Sequence, residues 1–231
     1  MAEAALRPAA ADAVQHQAPR GVIIDWGGVL TNPITDTVGA WLAADRIDAG
    51  SYAAVMRPWI FQAYGADGQG NPIHALERGE CLPEEFERLL AARLVRMDGG
   101  PVPAEGLLHR MWAATTPVPA MYDLLRTLRG AGIRTCLLSN SWGSSGYPRH
   151  VFPELFDAVV ISAEVGMRKP EERIFLHAAG LLGLPPRQCV FIDDIEANVA
   201  AAIASGMTGV HHSDPDLTAA RLTDLLGFPL S

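Results

Sequence analysis

The sequence predicts an α/β protein in which a parallel β-sheet is covered by helices on both faces and a helical segment follows the first strand. Three observations support this fold class. Short apolar runs alternate with helical patterns from residue 118 to the end of the chain. The run over residues 21–25 is apolar until it ends in a carboxylate. Between about residues 36 and 116, by contrast, the patterns are mainly helical and are broken by proline and glycine.

The individual elements follow from local patterns. Residues 1–20 are rich in alanine and lack the apolar stretch of a secretory signal, so we expect a flexible extension. Residues 21–25 predict a buried strand that leads into a tight turn at Gly27 and Gly28. Pro83, followed by two acidic residues, predicts the start of a helix. Further strands are predicted over 133–138, 158–161, 189–192 and 209–211, and helices over 121–129, 171–182, 195–205 and 217–226.

The composition excludes several classes of protein. Of the 231 residues, 49% are hydrophobic and 19% are charged, which excludes a disordered or coiled-coil chain. The net charge is −8 and basic residues do not cluster, so we expect no nucleic-acid partner. No apolar run approaches the roughly 18 residues of a membrane span, so we expect no membrane partner.

The three cysteines, Cys81, Cys136 and Cys189, are far apart in the sequence and fit neither a disulfide framework nor a zinc site. Cys136 and Cys189 lie in or beside apolar runs, which favours free thiols that fill the core. We therefore expect a reduced, cytoplasmic protein. Its oligomeric state is open between a monomer and a homodimer.

Reactive side chains stand at or beyond the predicted carboxyl ends of four strands. They are Asp25, the pair Ser139 and Asn140, Lys169, and the pair Asp193 and Asp194. In a parallel sheet these ends meet at one edge, where α/β proteins bind their ligands. Any one of these residues alone has an ordinary structural explanation as a turn or a helix cap. All four groups in one chain indicate a site.

These residue types fit phosphoryl transfer. A carboxylate such as Asp25 can attack phosphorus, but two anions must then approach each other. Mg²⁺ prefers carboxylate ligands and phosphate oxygens, so Asp25 with Asp193 and Asp194 predicts a magnesium site. Lys169 and the Ser139 hydroxyl group would bind the remaining phosphate oxygens. Gly27 and Gly28 lack side chains, which would let backbone amides approach the phosphate closely.

This set resembles the haloacid dehalogenase superfamily of hydrolases from about residue 21 to the C-terminus. The segments that carry a closer similarity are residues 77–80 (ERGE), 84–86, 166–171 (GMRKPE) and 191–194, with Asn198. They are similar to a subgroup that contains the bacterial α-D-glucose-1-phosphate phosphatase and the phosphatase domain of soluble epoxide hydrolase. The resemblance implies a Rossmann-like core, residues 21–35 and 117–231, and a small helical cap, residues 36–116.

The resemblance also implies roles for individual residues. Asp25 would be the nucleophile that forms a phospho-aspartate intermediate, and it would also bind Mg²⁺. Gly27 would offer its backbone carbonyl to the metal, and Asp194 would be the more direct metal ligand of the acidic pair. Ser139, Asn140 and Lys169 would hold the phosphate, and Asn198 would brace the last loop. The predicted activity is therefore hydrolysis of a small organic phosphomonoester, similar to a sugar phosphate.

One position departs from the family pattern. Many phosphatases of this superfamily carry a second aspartate, which protonates the leaving oxygen, where this chain has Gly27. Either the substrate has a good leaving group, such as an anomeric sugar hydroxyl or a pyrophosphate, or another residue supplies the proton. His74 is the nearest candidate in the sequence of the cap. A 2-haloacid dehalogenase, a lipid or prenyl phosphate hydrolase and a weakened binding protein stay open as alternatives, although the pair Asp193 and Asp194 favours a phosphatase.

Aromatic residues near the strand ends suggest a substrate pocket. Trp26 follows the predicted nucleophile, and Trp142 lies three residues after Ser139. These two indoles could stack on a sugar or line an apolar pocket, so we expect a ring-shaped or apolar leaving group. The loop over residues 65–72 could gate the site, although a plain surface loop is the simpler interpretation.

Overall fold

Five parallel strands form one sheet in the order β3-β2-β1-β4-β5. They belong to a computed structural model that describes residues 18–63, 70–143 and 146–230. The strands are β1 (Gly21–Ile24), β2 (Arg134–Ser139), β3 (Ala158–Ile161), β4 (Cys189–Asp193) and β5 (Thr208–His211). The chain builds outward from β1 on one side and then returns to build on the other. The reversal lies between β1 and β4, where such sheets open a crevice for ligands.

Eleven α-helices accompany the sheet within the described residues. Those that follow β1 in sequence are α1 (Ile34–Ala44), α2 (Ala49–Ala63), α3 (Pro72–Glu77), α4 (Pro83–Ala91) and α5 (Leu107–Met111). The remainder are α6 (Pro119–Gly130), α7 (Phe152–Leu155), α8 (Ser162–Val165), α9 (Glu172–Leu181), α10 (Glu196–Ala204) and α11 (Pro215–Leu226). No helix among the described residues is long and apolar enough to cross a membrane.

Apolar clusters pack against both faces of the sheet, as predicted for strands with continuous apolar runs. Val22 and Ile24 point into a cluster with α6, α7 and α11, whereas Ile23 points into a cluster with α9 and α10. Cys136 and Cys189 are fully buried in the second cluster, and burial raises the pKa of both thiols. Both cysteines are therefore core residues, as the sequence predicted. The fold class is confirmed by this parallel sheet covered on two faces.

Helices α1 to α5 have a separate apolar cluster of their own, which contains Trp41, Phe86 and Leu107. Two chain segments connect this cluster to the core, and they run side by side. Asn32 donates its backbone N–H to the carbonyl of Thr116 (3.0 Å), and the Thr116 N–H donates to the Asn32 side chain (2.8 Å). The structure thus has the inserted helical unit that the sequence predicted, while the domain boundaries at 36 and 116 stay a prediction.

Predicted and observed strands agree to within one residue at each end. The differences at β2 and β4 have a physical reason. Ser139 and Asp193 extend these strands because they keep the parallel register, opposite Ile161 and His211 respectively. Hydrophobicity alone ends each strand at its last apolar residue. The two extra positions are the ones that carry polar side chains to the edge of the sheet.

Candidate active site

The predicted reactive residues converge at the carboxyl edge of the sheet. Asp25 directly follows β1, and its N–H donates to the carbonyl of Ile192 in β4 (2.9 Å). The carboxylates of Asp25, Asp193 and Asp194 each offer an oxygen, and these three oxygens lie within 4.8 Å of one another. Asp25 and Asp193 are buried, and Asp194 is partly buried. Three carboxylates so close together require a cation.

Lys169 supplies a positive charge to this cluster. Its side chain is only 1% exposed, and its Nζ lies 2.7 Å from Asp25 Oδ1 and 2.6 Å from Asp193 Oδ2. The backbone N–H of Trp26 also donates to Asp25 Oδ1 (2.7 Å). Both contacts with Asp25 use Oδ1, so neither of them occupies Oδ2.

The two residues of the acidic pair are held differently. Asp193 accepts hydrogen bonds from Lys169, from the Ile195 N–H (2.8 Å) and from the Asn198 side chain (3.1 Å to each oxygen). Asp194, in contrast, lies at the cavity wall with a buried Oδ1 that has no hydrogen-bond partner among the described residues. A buried, unsatisfied carboxylate oxygen beside two further carboxylates is the donor set that Mg²⁺ takes. The three carboxylates therefore fit the implied Mg²⁺, with Asp25 and Asp194 as its ligands and Asp193 held in place by its hydrogen bonds.

Ser139 and Asn140 occupy the next strand end. Asn140 is engaged with the backbone of Lys169: its Nδ2 donates to the Lys169 carbonyl (3.0 Å), and its Oδ1 accepts the Lys169 N–H (2.8 Å). The side chain of Asn140 therefore ties the β2 loop to the Lys169 loop. Ser139 Oγ lies 2.8 Å from the hydroxyl group of Tyr147. The contact of Ser139 or Asn140 with phosphate stays a prediction.

Tyr147 is a site residue that sequence reasoning missed. It lines the same cavity, and burial raises the pKa of its phenol to about 12, so the phenol is neutral. A neutral phenol can orient the Ser139 hydroxyl group by donating to it or accepting from it. No local pattern marks Tyr147, because it stands in a loop eight residues beyond the end of β2.

The two glycines after Trp26 have different surroundings. Gly27 lines the cavity. Gly28 has a positive φ of 75°, and a Cβ there would lie 2.2 Å from Asp194 Oδ2, so this position excludes side chains. The Gly28 N–H already donates to the Thr31 hydroxyl group (3.1 Å). The predicted phosphate contact through the Gly28 amide stays a prediction, and the absence of a side chain at Gly28 permits the close approach of Asp194.

A cavity of about 390 Å³ opens above the carboxylates. Its floor includes Asp25, Lys169 and Asp194, and its upper wall is mainly apolar. Trp26 and Trp142 both line it, as predicted. The apolar residues that helices α1, α2, α3 and α5 contribute are Ile34, Val38, Met56, Ile60, Ile73 and Met111.

The interpretation of His74 as a cavity residue is not supported by the structure. His74 is buried in α3, and among the described residues it does not line the cavity, whereas Ile73 and Glu77 from the same helix do. His74 is rotated about 100° around the helix axis from Ile73, and Glu77 lies between the two, so the cavity meets the Ile73 side of this face. Residues 65–69 of the proposed gating loop lie outside the described residues.

Burial and mutual repulsion raise the pKa values of two carboxyl groups of the site. Burial, with the charges of Asp193 and Asp194, raises the pKa of Asp25 to about 8, although Lys169 opposes the change. Burial and the charge of Asp193 raise the pKa of Asp194 to about 6. Such groups stabilise the fold while they are protonated. Their contribution is complete below the usual aspartate pKa of 3.8 and is lost as the pH rises through about 6 and about 8.

We therefore expect Mg²⁺ to stabilise the protein more at high pH than at low pH. A ligand at 100 times its Kd adds about 2.7 kcal/mol, which corresponds to about 5–11 °C in Tm for a chain of this size. Differential scanning calorimetry with and without MgCl₂ should show such a rise at pH 8.5 and little change at pH 5. Asp194→Asn should reduce the rise at pH 8.5. An equal rise in Tm at both pH values would contradict this metal assignment.

Comparison with known proteins assigns the family. The model of the haloacid dehalogenase-like hydrolase family matches residues 19–206. The chain belongs to this family. The resemblance identified from the motifs is thus confirmed, and the protein is an enzyme of the hydrolase class.

Three similar proteins illustrate the relationship. Sesquiterpene phosphatase astK of Aspergillus oryzae is 26% identical over 213 residues, covering 90% of this chain and 97% of that protein. Acyl-CoA dehydrogenase family member 10 of mouse is 30% identical over 220 residues, or 91% of this chain, which spans only 19% of that longer protein. A haloacid dehalogenase family enzyme of Bacteroides thetaiotaomicron, crystallised with magnesium and inorganic phosphate, shares the fold with a TM-score of 0.61 and 22% identity, over 84% of this chain and 94% of that one.

Proposed function

We propose that this hydrolase is a Mg²⁺-dependent phosphatase that transfers a phosphoryl group to Asp25 and releases an apolar alcohol or phenol. The observation that carries the proposal is the position of the Asp25, Lys169 and Asp194 cluster at the floor of an apolar cavity. The cluster can bind a phosphoryl group, and the cavity can bind what is attached to it. The relative named sesquiterpene phosphatase supports both parts.

The chemistry follows from the side chains of the cluster. Asp25 Oδ2 attacks phosphorus, a P–O bond forms to Asp25, and the P–O bond to the leaving oxygen breaks. The leaving group departs as an alkoxide or phenolate and takes a proton from water. Lys169 stays within reach of Asp25 and balances the negative charge that gathers at this point. Bound Mg²⁺ would neutralise charge shared between the carboxylates and the phosphoryl group. Water then hydrolyses the phospho-aspartate and releases inorganic phosphate.

The cavity wall favours an apolar leaving group over a sugar. The hydroxyl group of Thr31 accepts from the Gly28 N–H and donates to the Asn32 carbonyl, so it is engaged within the protein, and that of Thr37 accepts from the Asn32 side chain. A buried sugar hydroxyl group without a partner costs about 1–3 kcal/mol. Burial of hydrocarbon in the same place gains about 0.8 kcal/mol per CH₂. The cavity thus supports the lipid or prenyl phosphate alternative better than the sugar phosphate expectation.

The absence of an acid at Gly27 adds a second requirement. General acid catalysis is worth about 10²–10⁴-fold. Without it, an alkoxide leaves slowly and a phenolate leaves more readily. We therefore expect aryl phosphates to turn over faster than alkyl phosphates of similar size.

A series of n-alkyl phosphates tests the proposal. With MgCl₂ present, we expect kcat/KM for phosphate release to rise about fourfold for each added CH₂, from the 0.8 kcal/mol of its burial. The rise should stop when the chain fills the cavity. Glucose 1-phosphate and glucose 6-phosphate should be poorer substrates than an alkyl phosphate of similar size.

The controls are Asp25→Asn and removal of magnesium by EDTA, and each should abolish turnover along the whole series. Turnover of glucose phosphates that exceeds that of every alkyl and aryl phosphate would contradict the apolar leaving group. Phosphate release that survives Asp25→Asn would contradict the nucleophile. Release of halide from a 2-haloacid, without phosphate release from any ester, would favour the dehalogenase alternative.

A further inference from the structure

A buried carboxylate of the cap, Glu77, stands at the junction between the cap and the core. It closes helix α3, lines the cavity, and is only 4% exposed. Its Oε2 accepts a hydrogen bond from Arg168 Nε (2.5 Å), and its Oε1 accepts one from Trp142 Nε1 (3.1 Å). Arg168 is 3% exposed. The two oxygens therefore contact two different loops of the core.

Both of these loops carry residues of the candidate site. Trp142 lies in the loop after β2, close behind Ser139 and Asn140. Arg168 directly precedes Lys169, whose amine lies between two carboxylates of the site. Asn140 already joins the two loops next to the sheet. Glu77 joins them a second time, from the side of the cap.

The segment that contains Glu77 also packs closely on the core. A Cβ at Gly79 would lie 2.7 Å from the backbone oxygen of Ala163, so only glycine permits this approach. Arg78 Nη1 lies 2.9 Å from Glu171 Oε1. The ERGE segment, residues 77–80, is therefore the part of the cap that rests on α8 and on the Lys169 loop.

We propose that Glu77 is a positioning residue through which the cap holds the Lys169 amine between Asp25 and Asp193. Its carboxylate orients Arg168, and the Arg168 backbone continues into Lys169. The same carboxylate orients the Trp142 indole, which forms part of the leaving-group wall. The inference rests on the proposed phosphatase function, because it assigns Lys169 to the reaction.

The energetics of buried ion pairs support a positioning role. A buried ion pair adds little net stability compared with apolar residues of the same size. Its hydrogen bonds are nevertheless directional, and each partner accepts only a narrow geometry. The pair of Glu77 and Arg168 at the cap–core junction therefore fixes the orientation of its side chains more than it adds to the free energy of folding. A displacement of about 1 Å in a site residue can lower turnover about 10²-fold.

The test uses the fact that Lys169 is the only lysine in the sequence. The full chain, labelled with ¹³Cε-lysine, gives a single lysine side-chain NMR signal, which reports directly on Lys169. We expect Glu77→Gln to shift this signal and to lower kcat for an aryl phosphate about 10- to 100-fold. The KM should change less than kcat. The matched control is Glu80→Gln, which makes the same change in the same segment at a side chain that is 56% exposed.

A second variant separates positioning from folding. Glu77→Gln removes the carboxylate that pairs with the buried Arg168 guanidinium, so part of its effect can come from lost stability. Glu77→Gln combined with Arg168→Gln removes both charges. We expect the double variant to recover most of the lost Tm while its lysine signal stays displaced and its kcat stays low. A double variant with the wild-type signal and kcat would overturn the inference, because the pair would then serve stability alone.

The lysine signal also keeps this inference distinct from the proposed function. If the wild-type protein releases no phosphate from any ester, the proposed function fails. The NMR comparison still stands in that case. A Glu77→Gln signal identical to that of the wild type contradicts the positioning role whatever the substrate is.

Discussion

Lys169→Met is expected to have the largest effect of any single substitution at this site. It removes the cation that lies 2.7 Å from Asp25 and 2.6 Å from Asp193 and leaves the cluster of carboxylates without it. Loss of one partner from a buried ion pair costs about 3–5 kcal/mol. For a chain of this length that cost lowers Tm by about 6–20 °C in the metal-free protein. Removal of a charge-stabilising donor should also lower kcat at least 10²- to 10³-fold.

The Tm deficit should depend on pH with a definite sign. At low pH the carboxyl groups are protonated and need no cation, so variant and wild type should be closest there. As the pH rises, the remaining carboxylates repel each other without Lys169, and the deficit should grow. MgCl₂ should restore part of the Tm at high pH but not the turnover.

The control for Lys169→Met is Lys169→Arg, which keeps the charge. We expect it to stay largely inactive, because a planar guanidinium cannot occupy the compact position of an ammonium between two carboxylates. Its Tm should lie above that of Lys169→Met at high pH. Wild-type kcat in Lys169→Met would remove Lys169 from the proposed mechanism.

Much of the site could be predicted because its reactive side chains come at the end of apolar runs or directly after them. Asp25, Ser139 and Asp193 end or follow strands whose residues are buried throughout, apart from the first residue of β2, Arg134. A parallel sheet brings such ends to one edge regardless of the details of packing. The helical insertion was predictable for a similar reason, because its periodicity differs from that of the strands around it.

Contacts between segments distant in the sequence could not be predicted. Glu77 and Arg168 are 91 residues apart, and Glu77 and Trp142 are 65 apart. Their pairing depends on how the cap rests on the core, which no local pattern encodes. His74 shows the same limit on a smaller scale. Helix α3 has only six residues, so the sequence does not reveal which of its faces meets the cavity.

The amino-acid composition alone already draws attention to Lys169. The chain has 18 basic residues, and Lys169 is the only one that is not arginine. Arginine serves every other basic position, on the surface and in the buried pair with Glu77. The single lysine therefore stands out in the sequence as a candidate for a role that arginine does not fill. The contacts of Lys169 with two buried carboxylates give the physical reason.

Gly27→Asp should produce a gain of activity. The position lines the cavity beside Asp25, and its backbone is not in the left-handed region. A Cβ there would lie 3.1 Å from Ile34 Cδ1, the far end of a flexible side chain that can give way. An aspartate at this position can protonate the leaving oxygen. We expect kcat for alkyl phosphates to rise by about 10²-fold, the lower end of general acid catalysis.

The control for this gain is Gly27→Asn. Asparagine is similar to aspartate in size and hydrogen-bonding reach, but it has no carboxyl proton to donate. Aryl phosphates form a second comparison, because a phenolate leaves without a proton and should gain little. If Asp and Asn at position 27 give the same alkyl phosphate kcat, protonation of the leaving group does not limit the wild-type enzyme. The slow step would then lie in hydrolysis of the phospho-aspartate, and a burst of alcohol release ahead of phosphate release would reveal it. If only Asp accelerates alkyl esters, the glycine at position 27 slows the wild-type enzyme on alkyl esters and favours apolar substrates whose leaving oxygen is already acidic.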